Sequence, residues 1–311
     1  MEAVTGDAST RVYRRVRFGD GARPASVIAM CMGEGRLAPD DDFLVLAAFL
    51  EGRGVPVPRV LAVAPDAGVA FLEDLGDERM ADRLAGADRT DRLALYHEAL
   101  DVLLHLQTGA PPPRGNPAAG RAFDVEKYTF EMNDFVDSYL VRHRRLGLGP
   151  RRARLDEVLG RVSAYLARLP RVFAHRDYHA RNLMVREGRL RVIDFQDARM
   201  GPAEYDVASL LRDSYIVLED AEREALLAHY ARGRGLDARD PEFRRRFAWS
   251  ALQRNLKAIG TFARLADARG LTGYLESIPP TLAYVRRALD EDASLAFVAK
   301  ELAPLLDGST P

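Results

Sequence analysis

Four residues in the middle of the chain have types and spacing that chemistry can use: His175, Asp177, Asn182 and, one short strand later, Asp194. The segment reads Val172-Phe-Ala-His-Arg-Asp-Tyr-His-Ala-Arg-Asn-Leu-Met-Val-Arg-Glu-Gly-Arg-Leu-Arg-Val-Ile-Asp-Phe-Gln-Asp. An apolar start runs into a polar loop, then two short strands joined at Glu187-Gly188 return the chain to a carboxylate. Asp177, Asn182 and Asp194 at the mouth of such a hairpin offer hard oxygen ligands. These suit Mg²⁺, which takes one or two protein carboxylates and fills its other positions with water and phosphate oxygens. The order His-x-Asp-x-x-x-x-Asn, then Asp after a strand, is the arrangement phosphoryl transfer uses. That reaction needs an acceptor hydroxyl aligned with the γ-phosphate and compensation of spreading negative charge. Asp177 is the candidate that accepts and orients the hydroxyl, and Asn182 and Asp194 are the candidates that hold Mg²⁺. His175, counted with Asp177 in the catalytic set, is expected to brace the loop through backbone hydrogen bonds.

These residues need a frame, and the flanking sequence supplies two kinds. Residues 10–17 alternate apolar and polar with Val12, Arg14 and Val16 on one face, the period of a strand. Residues 26–32 are a short apolar run, and residues 59–64 and 68–74 are two more strand candidates. Asp40-Asp-Asp is an N-cap cluster before a helix from Phe43 that stops at Gly52 and Gly54. Beyond Asp74 the texture turns helical. Residues 92–106 put Leu93, Tyr96, Leu100, Leu103 and Leu104 on one face; a Pro/Gly-rich loop at 109–117 follows, then helices near 126–145, 222–232, 241–265 and 282–289. The expected fold is α+β and bilobal, with a small antiparallel sheet lobe over residues 1–75 and a large, mainly helical lobe over 76–311. The junction falls at residues 70–76.

Composition narrows the partners. The 311 residues carry 45 Lys+Arg against 46 Asp+Glu, a formal net charge of −1, without the basic excess that counterion release at phosphates rewards. No nucleic-acid partner is expected. Cys31 is the single cysteine, so an intrachain disulfide and CxxC zinc spacings are ruled out. No stretch approaches the ~18 apolar residues of a membrane helix and the first residues lack a signal-peptide pattern. A cytoplasmic, monomeric protein with no membrane partner is expected. Of the basic residues, only Lys127, Lys257 and Lys300 are lysines.

The pair His175-Arg-Asp-Tyr-His-Ala-Arg-Asn and Ile193-Asp-Phe-Gln-Asp corresponds to HRDxxxxN and DFG of protein kinases, with Gln196 in place of Gly and His179 inside the loop. In these departures the chain resembles the aminoglycoside phosphotransferase and choline kinase family of small-molecule kinases, which have a protein-kinase-like fold. Gly201-Pro-Ala-Glu-Tyr-Asp looks like the family's turn into a helix, where the residue corresponding to Asp206 is mainly structural. Asp7-Ala-Ser-Thr-Arg-Val-Tyr-Arg-Arg and Gln253-Arg-Asn-Leu-Lys-Ala-Ile-Gly are similar to one branch, the bacterial anomeric sugar kinases acting on N-acetylmuramate and N-acetylglucosamine in cell-wall recycling. The resemblance implies an ATP- and Mg²⁺-dependent kinase that makes a sugar 1-phosphate from a small-molecule sugar acceptor.

It also implies sites. Adenine is expected against the junction near Glu73 and Leu75, with Ser9 and Thr10 in a flap over the phosphates. Kinases of this fold draw a Lys from the third strand toward the phosphates, yet no lysine precedes Lys127. Either Arg14 or Arg15 takes that place, since a guanidinium suits phosphate, or the helical lobe and Mg²⁺ carry the load. On the acceptor side, Asp197 is open between a second metal contact and a sugar-hydroxyl acceptor, and His179 between a structural and an acceptor role. Arg254 and Lys257 either meet an anionic sugar or form the solvated face of an amphipathic helix.

Overall fold

The computed structural model describes residues 2–4, 11–19, 21, 24–33 and 35–307. Five strands form an antiparallel sheet in the order β1-β2-β3-β5-β4: β1 Glu2–Val4, β2 Arg11–Arg17, β3 Ser26–Met32, β4 Val60–Ala64 and β5 Val69–Glu73. Helix α1, Asp42–Gly52, crosses from β3 to β4; its N-cap Asp41 accepts the Phe43 N–H at 2.9 Å, satisfying one of the free donors of the first turn. Its buried Phe43, Leu46, Ala47 and Leu50 join Met30, Ala70 and Leu72 of the sheet in one core. An antiparallel sheet followed by a helical remainder is the expected α+β fold, and β1 is an additional edge strand.

The register decides which face of β2 turns inward. Arg11, Tyr13 and Arg15 stand opposite Met32, Met30 and Ile28 on the inner face, whereas Val12 is 44% exposed and Arg14 is also exposed. Arginines turn inward here because carboxylates wait for them. Arg15 lies 2.7 Å from Asp74 and 2.8 Å from Asp77, and Arg11 lies 3.1 Å from Asp41.

The remainder is built from α2 Met80–Ala85, α3 Arg89–Gln107, α4 Pro117–Gly120, α5 Val125–Asp134, α6 Arg151–Ala167, α7 Ala203–Leu211, α8 Asp220–Gly233, α9 Pro241–Arg269, α10 Ile278–Glu291 and α11 Ala296–Leu306. Two strand pairs are set among them: β6 Arg171–Ala174 with β9 Arg199–Pro202, and the hairpin β7 Leu183–Arg186 with β8 Arg189–Val192. Glu187 and Gly188, at φ of 52° and 72°, make the two-residue turn whose twist matches a hairpin. The helix expected over 126–145 starts as α5 and widens into a π-helix over Phe135–His143. No helix among the described residues is long and apolar enough to cross a membrane.

Helix α9 carries the helical core. From Phe247 to Leu256 every residue is buried, Gln253, Arg254 and Asn255 included, so the solvated-face alternative for this stretch does not hold. Gly260 lets the π-helix approach: an added Cβ would lie 2.7 Å from the backbone of Phe135. Lys257 lies one turn earlier on α9.

Candidate active site

The loop between β6 and β7 is held by two buried carboxylates. Asp206, on α7, accepts the backbone N–H groups of His175 at 2.7 Å and Arg176 at 2.9 Å. Asp213 accepts those of Ala180 at 3.0 Å and Tyr215 at 2.9 Å. Arg176 and Asp194 both sit at positive φ, 82° and 64°, which costs of order 1–3 kcal/mol each and persists only where the surroundings over-determine it. The His175 ring is fully buried, with Nε2 2.9 Å from the Ile193 carbonyl; donating there, it ties the start of the loop to the end of the hairpin and does not face the cleft. Asn182 Nδ2 donates to the Asp177 carbonyl at 2.9 Å and to Asp194 Oδ2 at 3.2 Å, while Gln196 Nε2 donates to Asp194 Oδ1 at 2.6 Å.

Asp177 and Asp194 therefore meet at one place, in different electrostatic states. Burial would raise the Asp177 carboxyl, but Lys257 and Arg176 outweigh it and hold it well below the usual carboxylate range. Lys257 Nζ lies 2.6 Å from Asp177 Oδ1, and Oδ2 takes no hydrogen bond from the described residues, so one oxygen is open to a hydroxyl. Asp194 is raised, first by burial and then by Asp177, and its partners are amides rather than cations. A carboxylate flanked by the side-chain amides of Asn182 and Gln196, lacking a cationic partner and held in a strained conformation, fits a hard divalent cation, which takes carboxylate and amide oxygens. His179 is pushed down to about 3 by burial and by Arg254; its ring is neutral at physiological pH, and its buried Nδ1 has no partner among the described residues.

The far side of Asp177 is cationic. Glu131, buried on α5, receives Lys127 at 3.1 Å, Arg176 at 3.4 Å and Gln253 at 2.9 Å. Burial raises it, but Lys257, Arg176 and Lys127 together keep it below its ordinary value. Arg254 is buried behind the loop, each of its bonds going to a hydroxyl: Ser209 and Ser214, both at 3.1 Å. Asp197 turns away to Arg176 at 3.0 Å and is 57% exposed. Lys257, His179 and Asp177 are thus brought together, Arg254 lies deeper, and Asp197 stands aside.

On the other side is a cleft of about 650 Å³ between the sheet and the hairpin, lined by Tyr13, Arg15, Leu72, Glu73, Leu75 and, at its floor, Asn182 and Asp194. Glu73 and Leu75 are where the junction was expected to take a base, with the Glu73 carboxylate already bound to Arg186 at 2.9 Å. Arg14 is on the exposed face of β2, away from this cleft; Arg15 lines it but is spent on Asp74 and Asp77. Ser9 and Thr10 lie outside the described residues. Sequence reasoning missed Glu131, Gln196, Asp213 and Tyr215. Only Gln196, adjacent to the Asp194 motif, left a local signal.

A loop of this form, with a carboxylate clamped by a lysine on one side and a second carboxylate opening on a cleft on the other, suits transfer of a phosphoryl group between two bound molecules. The phosphotransferase enzyme family model (APH) matches residues 2–247. This chain belongs to the phosphotransferase enzyme family. Over 98% of its length the phosphotransferase is 33% identical to the N-acetylmuramate/N-acetylglucosamine kinase of Pseudomonas aeruginosa, covering 88% of that protein. It is 36% identical to the protein of that name from Neisseria meningitidis, over 94% of this chain and 86% of the relative. Among solved structures it is similar to a choline/ethanolamine kinase family protein from Mesorhizobium loti, with a TM-score of 0.61, 18% identity, and 99% and 92% of the two chains covered. It is also similar to the aminoglycoside phosphotransferase APH(2")-IIa in its gentamicin complex, with a TM-score of 0.58, 15% identity, and 82% and 84% covered. At these identities the structural likenesses speak for the fold alone, and they place the phosphotransferase in the bilobal kinase-like class.

Proposed function

We propose that this phosphotransferase moves the γ-phosphoryl group of ATP to the anomeric hydroxyl of N-acetylmuramate or N-acetylglucosamine, giving the sugar 1-phosphate for cell-wall recycling. The observation that carries the reading is whole-length similarity, 31–36% identity, to relatives named as kinases of these two sugars. The site is in keeping with it. Asp177 Oδ2 is free to accept the acceptor hydroxyl while Lys257 fixes Oδ1 and keeps the group ionised. An anomeric hydroxyl is more acidic than an ordinary alcohol, so a weakly basic, well-oriented carboxylate suffices. Asn182 and Asp194 would hold Mg²⁺, which when bound to phosphate oxygens neutralises charge developing in transfer.

Electrostatics weigh against a cationic acceptor such as an aminoglycoside or choline. Such a ligand needs carboxylates or open π faces. Glu131 is already taken by Lys127 and Arg176. Tyr215, Phe262 and Tyr274 pack on one another, and Arg181 covers Tyr215 at 4.0 Å. An acceptor panel tests the reading: N-acetylmuramate, N-acetylglucosamine, kanamycin and choline, each with MgATP and ADP release as readout. Turnover with one or both sugars is expected, and turnover confined to kanamycin or choline overturns it.

A further inference from the structure

The cleft has a charge problem that the described residues of the small lobe do not solve. A nucleoside triphosphate brings three to four negative charges, and transfer spreads more onto the terminal phosphoryl oxygens. Among the described residues, four cationic side chains line the cleft: Arg15, Arg17, Arg79 and Arg181. Arg15 is fully engaged by Asp74 and Asp77, with the Gly76 carbonyl as a third partner. Arg17 is at the outer end of β2 and pairs loosely with Glu2 at 3.5 Å. Arg79 opens α2 past the junction, where Asp77 and Asp82 also face the cleft. In the middle of β3, Met30 stands opposite Tyr13, fully buried and uncharged.

Arg181 differs from Arg15 and Arg17 in three ways, and from Arg79, whose guanidinium is likewise without a hydrogen bond or ion pair to a described residue, in its place and its aromatic support. It directly precedes Asn182, so the 3₁₀ turn Ala180–Asn182 puts it at the end of the cleft where Asp194 lies. Its guanidinium makes no hydrogen bond or ion pair with a described residue. It rests on the Tyr215 ring at 4.0 Å, a support that orients the planar fork while leaving its N–H groups unused. Asp213, beneath the loop, is within electrostatic reach, but both its oxygens are spent on the N–H groups of Ala180 and Tyr215. Tyr215 is in turn gripped by His179 at 5.4 Å and Phe262 at 5.9 Å. The stacked cation therefore stands at the boundary between nucleotide cleft and acceptor side.

We propose that Arg181 is the phosphate-binding cation of this enzyme, contacting the β- and γ-phosphate oxygens from the helical lobe in place of a small-lobe lysine. The assignment rests on the reading of the chain as an ATP-dependent kinase, and it makes Tyr215 a positioning residue for the guanidinium.

The test is binding of ATP, ADP and AMP to the full-length protein by calorimetry, beside steady-state kinetics, for wild type, Arg181→Met, Arg181→Lys, Arg79→Met and Arg11→Met. Met keeps an apolar stem over Tyr215 and removes the charge. Arg181→Met is expected to weaken ATP binding about ten-fold or more, to lower kcat, and to leave AMP binding within about two-fold; Arg181→Lys recovers part of the loss. Equal losses for ATP and AMP would indicate a merely structural role, and an unchanged ATP affinity and kcat would remove the role altogether. If Arg79→Met or Arg11→Met, and not Arg181→Met, separates ATP from AMP, the cation lies elsewhere and the assignment is wrong. Should wild type bind ATP yet phosphorylate no sugar, the acceptor reading fails while the ATP/AMP comparison still decides Arg181.

Discussion

Replacing Lys257 by Met removes the ion pair on which Asp177 depends. At 2.6 Å and an effective dielectric near 20, the attraction is about 6 kcal/mol. Both side chains keep some solvent, at 14% and 26% exposure, and Arg176 remains as a second cation. The realised loss at neutral pH is therefore about 2–4 kcal/mol, toward the low end of the cost of orphaning a buried charge. The sign with pH follows from the direction of the Asp177 shift. A carboxyl held below its unfolded value stabilises the fold above the unfolded pKa, 3.8, and loses that contribution as pH falls through the folded one. In the Met variant Asp177 takes up a proton at higher pH than in wild type. The stability gap is thus full at pH 7 and narrows below about pH 4, by at most about 1.4 kcal/mol per pH unit. Urea unfolding at pH 7, 5, 4 and 3 measures it, and kcat, expected to fall at least ten-fold, is read at pH 7. A gap near zero at pH 7, or one that stays constant down to pH 3, would refute the reasoning.

Other outcomes follow from the same geometry. Asp194→Asn keeps the backbone at φ 64°, which Asn tolerates, and removes a negative charge beside Asp177; the metal-free protein is expected to be at least as stable by thermal melt. The same variant loses the Mg²⁺- and ATP-dependent rise in Tm and more than about 100-fold in kcat, and chelation of divalent cations by EDTA abolishes wild-type turnover until Mg²⁺ is restored. Gly260→Ala forces a Cβ to within 2.7 Å of the Phe135 backbone, costing about 1–3 kcal/mol, measured by urea unfolding, and it lowers kcat by displacing Lys257. Arg14→Ala, on the outward face of β2, leaves the KM for ATP within about two-fold.

What could be read from the sequence was local. The hairpin was visible because its strands are short and its turn is Glu187-Gly188, and α1 because Asp41 caps an apolar run. The hydroxyl-orienting and metal-holding candidates share one segment of chain, so their spacing survives in one dimension. What decides their electrostatics does not: Lys257 reaches Asp177 from 80 residues away, and Glu131 gathers Lys127, Arg176 and Gln253 from three elements. Alternation announced β2 as a strand and grouped Val12, Arg14 and Val16, but it does not say which face turns inward; that is decided by Asp41, Asp74 and Asp77, which receive Arg11 and Arg15. Helix α6 has Leu155, Val158, Leu159, Val162 and Leu166 buried at helical spacing, a pattern the sequence does contain. The π-helix has no such pattern, since its wider turn follows from packing against α9. Arg254 stayed open between meeting an anionic sugar and lying on a solvated face because nothing in a single sequence shows that both sides of α9 are covered.

The central claim is that Asp177 directs an anomeric sugar hydroxyl at ATP. Its most direct measurement is ³¹P NMR of the reaction of N-acetylmuramate or N-acetylglucosamine with MgATP, run with wild type and with Asp177→Asn. The account predicts a sugar phosphate resonance coupled to the anomeric proton in the wild-type reaction, its rate cut by about 10²–10⁴ in the variant while ATP binding persists. A phosphate on any other position, inorganic phosphate as the only product, or an undiminished rate in Asp177→Asn would contradict it.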